Sequence, residues 1–329
     1  MMEPAATELG TGRSLMPAPA PATRDNATRN VLGSALSLIL LVGQMTICLS
    51  AVATAPKAIS NGVAGTDSRP LNLVVVLDLS DRINPAKNPG QAEQDLKLLD
   101  GLITLFEEKV RKGLYLLSRD RLVFAVAPQS TTYQRELLTV ADSLRINMPE
   151  LNGGRAERGK PGFDKARAGL TEGLSRLYGR AAASEKYVGA DIWSFFRDRL
   201  DSYVSSEPGV RNVVVVVTDG YINFEREEER GRPRKGSRTS YMRVAELRSD
   251  SNWERRFDRD NWGLISFGAR YREVEVAVAG LRYVQLADQP IVERYWTGWL
   301  GEMGVARVKL LAADDSVVPS MGILKRLLS

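Results

Sequence analysis

Five consecutive valines, Val213–Val217, constrain the fold of this chain more than any other segment. β-Branched residues favour strands, and an apolar run without polar alternation predicts a strand that is buried on both faces. Strands of this kind are typical of parallel sheets, which carry helices on both sides. Leu71–Leu79 has the same apolar character, so the two segments predict two central strands of one sheet.

Further strand and helix patterns alternate along the rest of the chain, and residues 71–329 are therefore predicted to form one α/β domain. The expected architecture is a doubly wound, mostly parallel, Rossmann-like sheet with helices on both faces. The highly charged stretch Glu225–Ser240 predicts an exposed loop or hairpin. The predicted strands are Leu71–Leu79, Leu122–Ala127, Val213–Val217, Val274–Leu281 and Val305–Leu311, and the predicted helices are Gln91–Arg111, Phe163–Ala183, Asp191–Val204 and Ile291–Met303.

The N-terminal part of the chain has a different composition. Residues 1–30 are rich in Ala, Pro and Thr and are predicted to be disordered, and residues 54–70 read as a short linker. Between them, Val31–Ala53 contains no charged residue and is long enough to span a bilayer, which takes about 20 apolar residues. Arginines precede this segment, so the remainder of the chain is expected outside the cytoplasm.

From this segment we expect a single-pass protein of the cell membrane with an extracytoplasmic domain. The alternative is a signal peptide cleaved near Ala53, which would leave a periplasmic or secreted domain. A buried hydrophobic helix is a third interpretation of the same residues.

The residue types that are missing exclude several kinds of site. The chain has no histidine, and its only cysteine is Cys48, inside the N-terminal apolar segment. A Ser-His-Asp triad, a histidine general base, Cys/His zinc ligation and a thiol nucleophile in the domain are therefore excluded. Any metal ion must be held by oxygen ligands, which favours Mg²⁺, Mn²⁺ or Ca²⁺. The net charge of +5 is modest and indicates a solvated basic surface, with no nucleic acid as partner.

Acidic residues follow both central strands. The first strand ends in Asp-Leu-Ser-Asp-Arg (residues 78–82), and the valine strand ends in Thr-Asp-Gly (residues 218–220). In open α/β sheets, ligands bind at the carboxyl ends of the strands, where the strand order reverses. We expect these two segments to lie side by side at that point.

The two motifs and their order resemble the metal-ion-dependent adhesion site of von Willebrand factor A domains, and the resemblance extends over residues 71–312. It implies that Asp78, Ser80 and Asp219 bind a divalent cation and that a carboxylate of the partner completes the coordination. Two positions depart from the family pattern, because Arg82 replaces a serine and Asp191 lies where a threonine is expected. The predicted metal ligands are thus Asp78, Ser80, Asp191 and Asp219, with Thr218 and Arg82 adjacent to them.

The departures change the charge of the site. If Asp191 joins Asp78 and Asp219, three carboxylates outweigh one dication unless Arg82 offsets the excess. Alternatively, the guanidinium of Arg82 lies among the carboxylates and replaces the metal outright. Asp191 also directly precedes a predicted helix, where it would serve as an N-cap. Mg²⁺ is the expected ion, with Mn²⁺ or Ca²⁺ as alternatives, unless Arg82 fills the site.

These observations predict a membrane-tethered or exported binding module that engages a protein partner, not an enzyme, and no small-molecule substrate. One alternative is a metal-assisted phosphohydrolase that uses Asp78. Against it, Ser80 stands where an Asp-x-Asp pair would place its second carboxylate. A nucleotide-binding site is disfavoured because no glycine-rich loop follows the first strand. The other alternative is a structural component of an envelope assembly with a vestigial site.

Overall fold

The structure, a computed structural model, describes residues 67–128, 132–154, 157–183, 189–224, 238–314 and 316–329. Its strands are β1 (Leu71–Leu77), β2 (Arg121–Val126), β3 (Arg145–Asn147), β4 (Arg211–Val217), β5 (Val274–Leu281) and β6 (Arg307–Ala312). Its α-helices are α1 (Gln91–Lys112), α2 (Thr132–Asp142), α3 (Met148–Gly153), α4 (Gly159–Ala182), α5 (Ile192–Ser194), α6 (Val244–Arg248), α7 (Trp253–Arg259), α8 (Gln289–Glu302) and α9 (Val318–Leu328).

The six strands form one sheet in the order β3-β2-β1-β4-β5-β6. The short edge strand β3 is antiparallel to β2, and every other pair of neighbours is parallel. The prediction of a doubly wound, mostly parallel α/β sheet is confirmed. The strand order reverses between β1 and β4, which pair in register from Leu71 with Arg211 to Leu77 with Val217.

The sheet is buried on both faces, as its apolar strands predict. Alternate residues of β1 and β4 point to opposite sides, and all five valines of Val213–Val217 are 0% exposed. One face packs against apolar side chains of α1, α4 and α9, and the other packs against those of α8 and the segment after α5. The carboxyl ends of β1 and β4 are therefore fixed by packing on two sides.

Several elements differ from the sequence-based prediction. The single helix expected over Asp191–Val204 is divided into α5, a π-helical segment Phe195–Arg199 and a 3₁₀ turn Leu200–Ser202. The strand β3, which has only three residues, and the helices α2, α3, α6, α7 and α9 were not predicted from the sequence. Residues 225–237, which make up most of the predicted charged loop, lie outside the described residues.

The expectation of a single-pass membrane protein is corrected. In the ranges that the structure describes, no helix is both long enough and apolar enough to cross a membrane. The long helices α1 and α4 are amphipathic, because each carries charged residues on the side away from the sheet. The segment Val31–Ala53, on which the expectation was based, lies outside the described residues, as do residues 1–30 and most of the linker.

Candidate functional site

The ends of β1 and β4 bring two of the predicted site segments together. The backbone N–H of Asp78 donates to the carbonyl of Val217 at 3.0 Å, so the pairing of the two strands continues one residue beyond β1. The hydroxyl of Thr218 donates to Oδ2 of Asp78 at 2.7 Å. Asp78 and the Thr-Asp-Gly segment therefore lie side by side at the carboxyl edge of the sheet, as expected from the topology.

Asp78 is buried, with 2% of its surface exposed, and each of its oxygens accepts a hydrogen bond. Oδ1 accepts from the backbone N–H of Ser80 at 3.0 Å, and Oδ2 accepts from Thr218. A carboxylate oxygen has two lone pairs, so both oxygens retain acceptor capacity. Ser80 is half-buried, and its hydroxyl makes no hydrogen bond to the residues that the structure describes.

Asp219 accepts fewer hydrogen bonds from the described residues than Asp78 does. Its Oδ1 accepts from the backbone N–H of Tyr221 at 3.0 Å, and no other described residue donates to its carboxylate. Burial raises the pKa of Asp219, the negative charge of Asp78 raises it further and the positive charge of Arg82 opposes the rise, so that the pKa reaches about 7. Asp219 is thus a partly buried carboxylate that lies near a like charge and accepts one hydrogen bond from the described residues.

Gly220 fixes the turn that directly follows Asp219. Its φ of +98° is disfavoured for other residues, and a Cβ there would lie 2.4 Å from Cδ2 of Leu281. The indole N–H of Trp296 donates to the carbonyl of Gly220 at 2.8 Å, which ties the turn to α8. The glycine of the Thr-Asp-Gly motif is therefore required by the backbone conformation and by the packing.

Arg82 does not hydrogen-bond the site carboxylates; it forms an ion pair with Asp95 of α1. The two side chains are each 3% exposed, and the guanidinium donates through Nη1 and Nη2 to the two carboxylate oxygens at 2.6 and 3.0 Å. Asp95 also accepts from the side-chain amide of Gln91 and the hydroxyl of Tyr178, both at 2.9 Å. The hydrogen bonds of Arg82 therefore do not support the alternative in which its guanidinium replaces a metal among the site carboxylates.

Arg82 nevertheless contributes its charge to the site. Burial alone lowers the pKa of Arg82, but the carboxylates of Asp95, Asp78 and Asp219 together hold it above its usual value. Its Nε is buried without a hydrogen-bond partner among the described residues. Gly280 (φ +92°) lies beside the guanidinium, and a Cβ at that position would be in ordinary van der Waals contact with Nη2, at 3.7 Å.

Asp95, Gln91 and Tyr178 were missed by the sequence analysis. The signal for Asp95 was available, because it lies four residues before Leu99 on the buried stripe of α1. A charged residue on such a stripe requires a buried partner of opposite charge. The sequence alone does not identify which of the 45 cationic side chains is that partner.

Asp191 serves as the N-cap of α5. Its Oδ1 accepts from the backbone N–H of Ser194 at 2.8 Å, and its Oδ2 accepts from the hydroxyl of the same residue. The backbone N–H of Asp191 donates to the carbonyl of Pro128 at 2.7 Å, which joins the segment to the end of β2. The capping interpretation of Asp191 is confirmed, and both of its oxygens are already hydrogen-bonded.

The donor set that remains is smaller than the sequence suggested. Among the described residues, no group of three or more His, Cys, Asp or Glu side chains is placed to hold a metal ion. Asp95 is neutralised by Arg82 and Asp191 is engaged as a cap, which leaves the carboxylates of Asp78 and Asp219 and the hydroxyl of Ser80. Mg²⁺ typically binds to one or two carboxylates and keeps several waters, so these oxygens fit a dication with solvent in its coordination shell.

No protein-family profile matches the chain, and no curated protein matches it in sequence. Among solved structures, the chain is similar to proximal thread matrix protein 1 from the mussel byssus, at 11% identity and a TM-score of 0.32. A second structure of that protein, with a zinc-occupied MIDAS motif, gives the same values, and each match covers 80% of this chain and 46% of the mussel protein. The open conformation of the pilus adhesin SpaC from Lactobacillus rhamnosus GG matches at 13% identity and a TM-score of 0.36, over 79% of this chain and 30% of the adhesin. The chain thus spans less than half the length of these proteins.

Proposed function

We propose that this chain is a protein-binding module that engages its partner through a divalent cation at the carboxyl edge of the sheet. The observation that carries the proposal is the state of Asp219. Its carboxylate is partly buried, repels that of Asp78 and accepts a single hydrogen bond from the described residues, from Tyr221. Two neighbouring carboxylates in a partly desolvated position repel each other unless a cation compensates them.

In the proposed site, Asp78 and Asp219 bind the ion directly or through water, and Ser80 supplies a neutral oxygen. Thr218 orients Asp78 through its hydroxyl. Asp191 is assigned no direct bond to the ion, because both of its oxygens cap α5. Mg²⁺ or Mn²⁺ suits this oxygen set, and Ca²⁺ would require more ligands from solvent.

The charge of the site bears on the choice of partner. Arg82 and Asp95 neutralise each other, so two carboxylates and one dication leave no net charge at the ion. A carboxylate of a partner is therefore not repelled, in contrast to the case of three coordinating carboxylates. The resemblance to von Willebrand factor A domains supports the same conclusion, because in that family an acidic side chain of the partner completes the coordination.

The metal part of the proposal is tested by calorimetric titration of the full-length chain with MnCl₂ and MgCl₂. We expect one bound ion for the wild type and at least about tenfold weaker binding for Asp219→Asn, which removes one of two charged ligands. The matched control is Asp81→Asn, because Asp81 lies one residue after Ser80 but is exposed and pairs with Lys87 at 2.8 Å. Equal affinity of the wild type and Asp219→Asn would refute the assignment of Asp219.

The binding part is tested by capture of the full-length chain on immobilised aspartate-containing peptides in Mn²⁺ and in chelator. Capture that requires both the metal and Asp219 supports a binding module. If metal binds and capture does not depend on it, the ion has another role, and metal-dependent release of phosphate from a phosphomonoester would favour the hydrolase alternative. If neither metal nor peptide binds, the site is a structural remnant.

A further inference from the structure

Two exposed apolar side chains lie in the loop between β5 and α8. Val284 and Leu286 are 77% and 87% exposed, whereas most large hydrophobic residues of the described chain are buried. Single exposed apolar residues are common on protein surfaces and carry no meaning by themselves. Their position relative to the candidate metal site is what distinguishes this pair.

Hydrogen bonds join this loop to Asp219 at two points. The backbone N–H of Arg282 donates to the carbonyl of Asp219 at 3.0 Å. The backbone N–H of Val284 donates to the hydroxyl of Tyr221 at 3.0 Å, and the N–H of Tyr221 is the donor to the Asp219 carboxylate. The loop and the site carboxylate are therefore parts of one hydrogen-bonded surface.

Hydrogen bonds to the buried side chain of Asp288 also hold the loop in place. The hydroxyl of Tyr221 donates to Oδ2 of Asp288, which is 0% exposed, at 2.6 Å. Nη2 of Arg248 donates to the same oxygen at 2.8 Å, so Asp288 is paired with a cation as well as with Tyr221. Asp288 is buried and paired, so the backbone that carries Val284 and Leu286 is held in one conformation. That backbone therefore loses little conformational freedom when a partner binds.

A cation lies at the base of the loop. The side chain of Arg282 is exposed, and its Nη2 donates to the side-chain carbonyl of Gln94 at 3.1 Å. No carboxylate of the described residues pairs with this guanidinium. The carboxyl edge of the sheet thus carries the positive charge of Arg282, the two carboxylates of the candidate metal site and the two apolar side chains of the loop.

We propose that the loop Arg282–Leu286 is the second half of the partner-binding surface and that it selects a protein segment in which an apolar side chain is adjacent to a carboxylate. The carboxylate meets the metal site and Arg282, and the apolar side chain packs against Val284 and Leu286. This inference rests on the proposed function, since it assumes that the partner's carboxylate binds at Asp219. It adds the chemistry of the partner, which the metal site alone does not specify.

The test uses three immobilised pentapeptides on a glycine background and the labelled full-length chain in Mn²⁺. One peptide carries leucine next to aspartate, one carries aspartate alone, and one carries leucine next to asparagine. Burial of one leucine side chain corresponds to roughly tenfold in affinity, so we expect about tenfold greater capture on the first peptide than on the second. Little capture is expected on the asparagine peptide.

The variants are Leu286→Ser and Val284→Ser, with Leu117→Ser as the matched control. Leu117 is also exposed (77%) but lies in the turn after α1, before the amino end of β2. We expect each loop variant to lose most of the preference for leucine and to keep its Mn²⁺ affinity, and the control to behave as wild type. All three side chains are exposed, so thermal unfolding should be unchanged.

The outcomes separate the two proposals. If Leu286→Ser and Val284→Ser retain the leucine preference while Asp219→Asn abolishes capture, the role of the loop is overturned and the metal-dependent binding function stands. If Asp219→Asn leaves both Mn²⁺ affinity and capture unchanged, the proposed function fails. Wild-type capture that shows no leucine preference overturns the inference, as does a dimer that Leu286→Ser dissociates, because the loop would then bind a second copy of the chain.

Discussion

The charged groups at the two ends of the sheet differ in how many hydrogen-bonding and ionic partners they have. At the amino end, Arg211 and Glu275 form a bidentate ion pair with distances of 2.7 and 3.0 Å. Nearby, Asp120 accepts hydrogen bonds from the backbone N–H of Leu71 at 2.7 Å and from the hydroxyl of Ser118 at 2.6 Å. Each of these charged groups has at least two partners, and each joins elements that are distant in sequence.

At the carboxyl end, Asp219 has a single donor and a like charge beside it. Asp219 is also only partly buried, whereas Asp120, Arg211 and Glu275 are buried, so solvent reaches the carboxylate at this end of the sheet. Buried polar groups that only maintain a fold are normally paired, and a group left with one partner indicates a site where a ligand supplies the rest. The comparison therefore assigns the amino end to stability and supports the proposed role of Asp219 in binding.

Arg82 belongs with the stabilising groups although it lies at the carboxyl end. Its ion pair with Asp95 is as buried and as well connected as that of Arg211 with Glu275. It replaces the serine that the resemblance would place there, and it connects the loop after β1 to α1. The carboxyl end thus contains one structural pair and one incomplete pair of carboxylates.

The largest expected effect is on the amino-end ion pair. Glu275→Gln leaves Arg211 buried without a full counter-charge, and we expect the free energy of unfolding to fall by about 3–5 kcal/mol. The control is Glu302→Gln, because Glu302 pairs with Arg238 at the surface (2.6 Å, 40% and 28% exposed), where the loss should stay below about 1 kcal/mol. Urea unfolding measures both, and calorimetry should show unchanged Mn²⁺ affinity. If Glu275→Gln were as stable as the control, the amino-end ion pair would not be a stabilising group.

Part of this comparison could be predicted from the sequence. Continuous apolar strands predicted the central strands and the point where their order reverses, and that topology placed Asp78 beside the Thr-Asp-Gly segment. The partner of Arg82 could not be predicted, because the pair depends on how α1 is rotated against the sheet. The division of the helix after Asp191 was missed for a similar reason, since its apolar spacing is compatible with either a regular or an interrupted helix.

The second prediction asks whether Arg82 is purely structural. Arg82→Ser should lower the free energy of unfolding in chelator by about 3 kcal/mol, because Asp95 loses its counter-charge. It should also tighten Mn²⁺ binding, because it removes a fixed positive charge beside Asp78 and Asp219 and restores an oxygen. Calorimetry and urea unfolding measure the two effects separately.

Two variants serve as controls for this prediction. Arg82→Lys keeps the charge and should leave Mn²⁺ affinity near the wild-type value, even if the fold is weakened. Asp95→Asn leaves the positive charge of Arg82 without its partner and should weaken Mn²⁺ binding. If Arg82→Ser and Asp95→Asn shift the affinity in the same direction, the charge of Arg82 does not govern the ion.

The third prediction separates the cap from the ligands. Asp191→Ala removes the side chain that accepts from Ser194, and loss of an N-cap costs about 1 kcal/mol. Mn²⁺ affinity should change less than twofold, because no direct bond to the ion is assigned to Asp191. Asp191→Ser, which retains an N-cap acceptor, should recover most of the stability in thermal unfolding. A loss of metal affinity as large as that of Asp219→Asn would place Asp191 among the ligands after all.

The smallest loss of stability is expected at the incomplete pair itself. In chelator, Asp219→Asn should leave the fold at least as stable as the wild type near neutral pH, because it removes the repulsion from Asp78. The pKa of Asp219 is about 7 in the folded state and about 4 in an unfolded chain, so between these values the folded state holds the extra proton. Unfolding then releases that proton, and the contribution of Asp219 to the free energy of unfolding falls as the pH rises from about 4 to 7 and is constant above. Asparagine does not titrate, so the stability of the variant relative to the wild type should rise across that window, measured by urea unfolding at several pH values. Parallel pH profiles for the two proteins would mean that Asp219 is already compensated within the fold, and the difference between the two ends of the sheet would disappear.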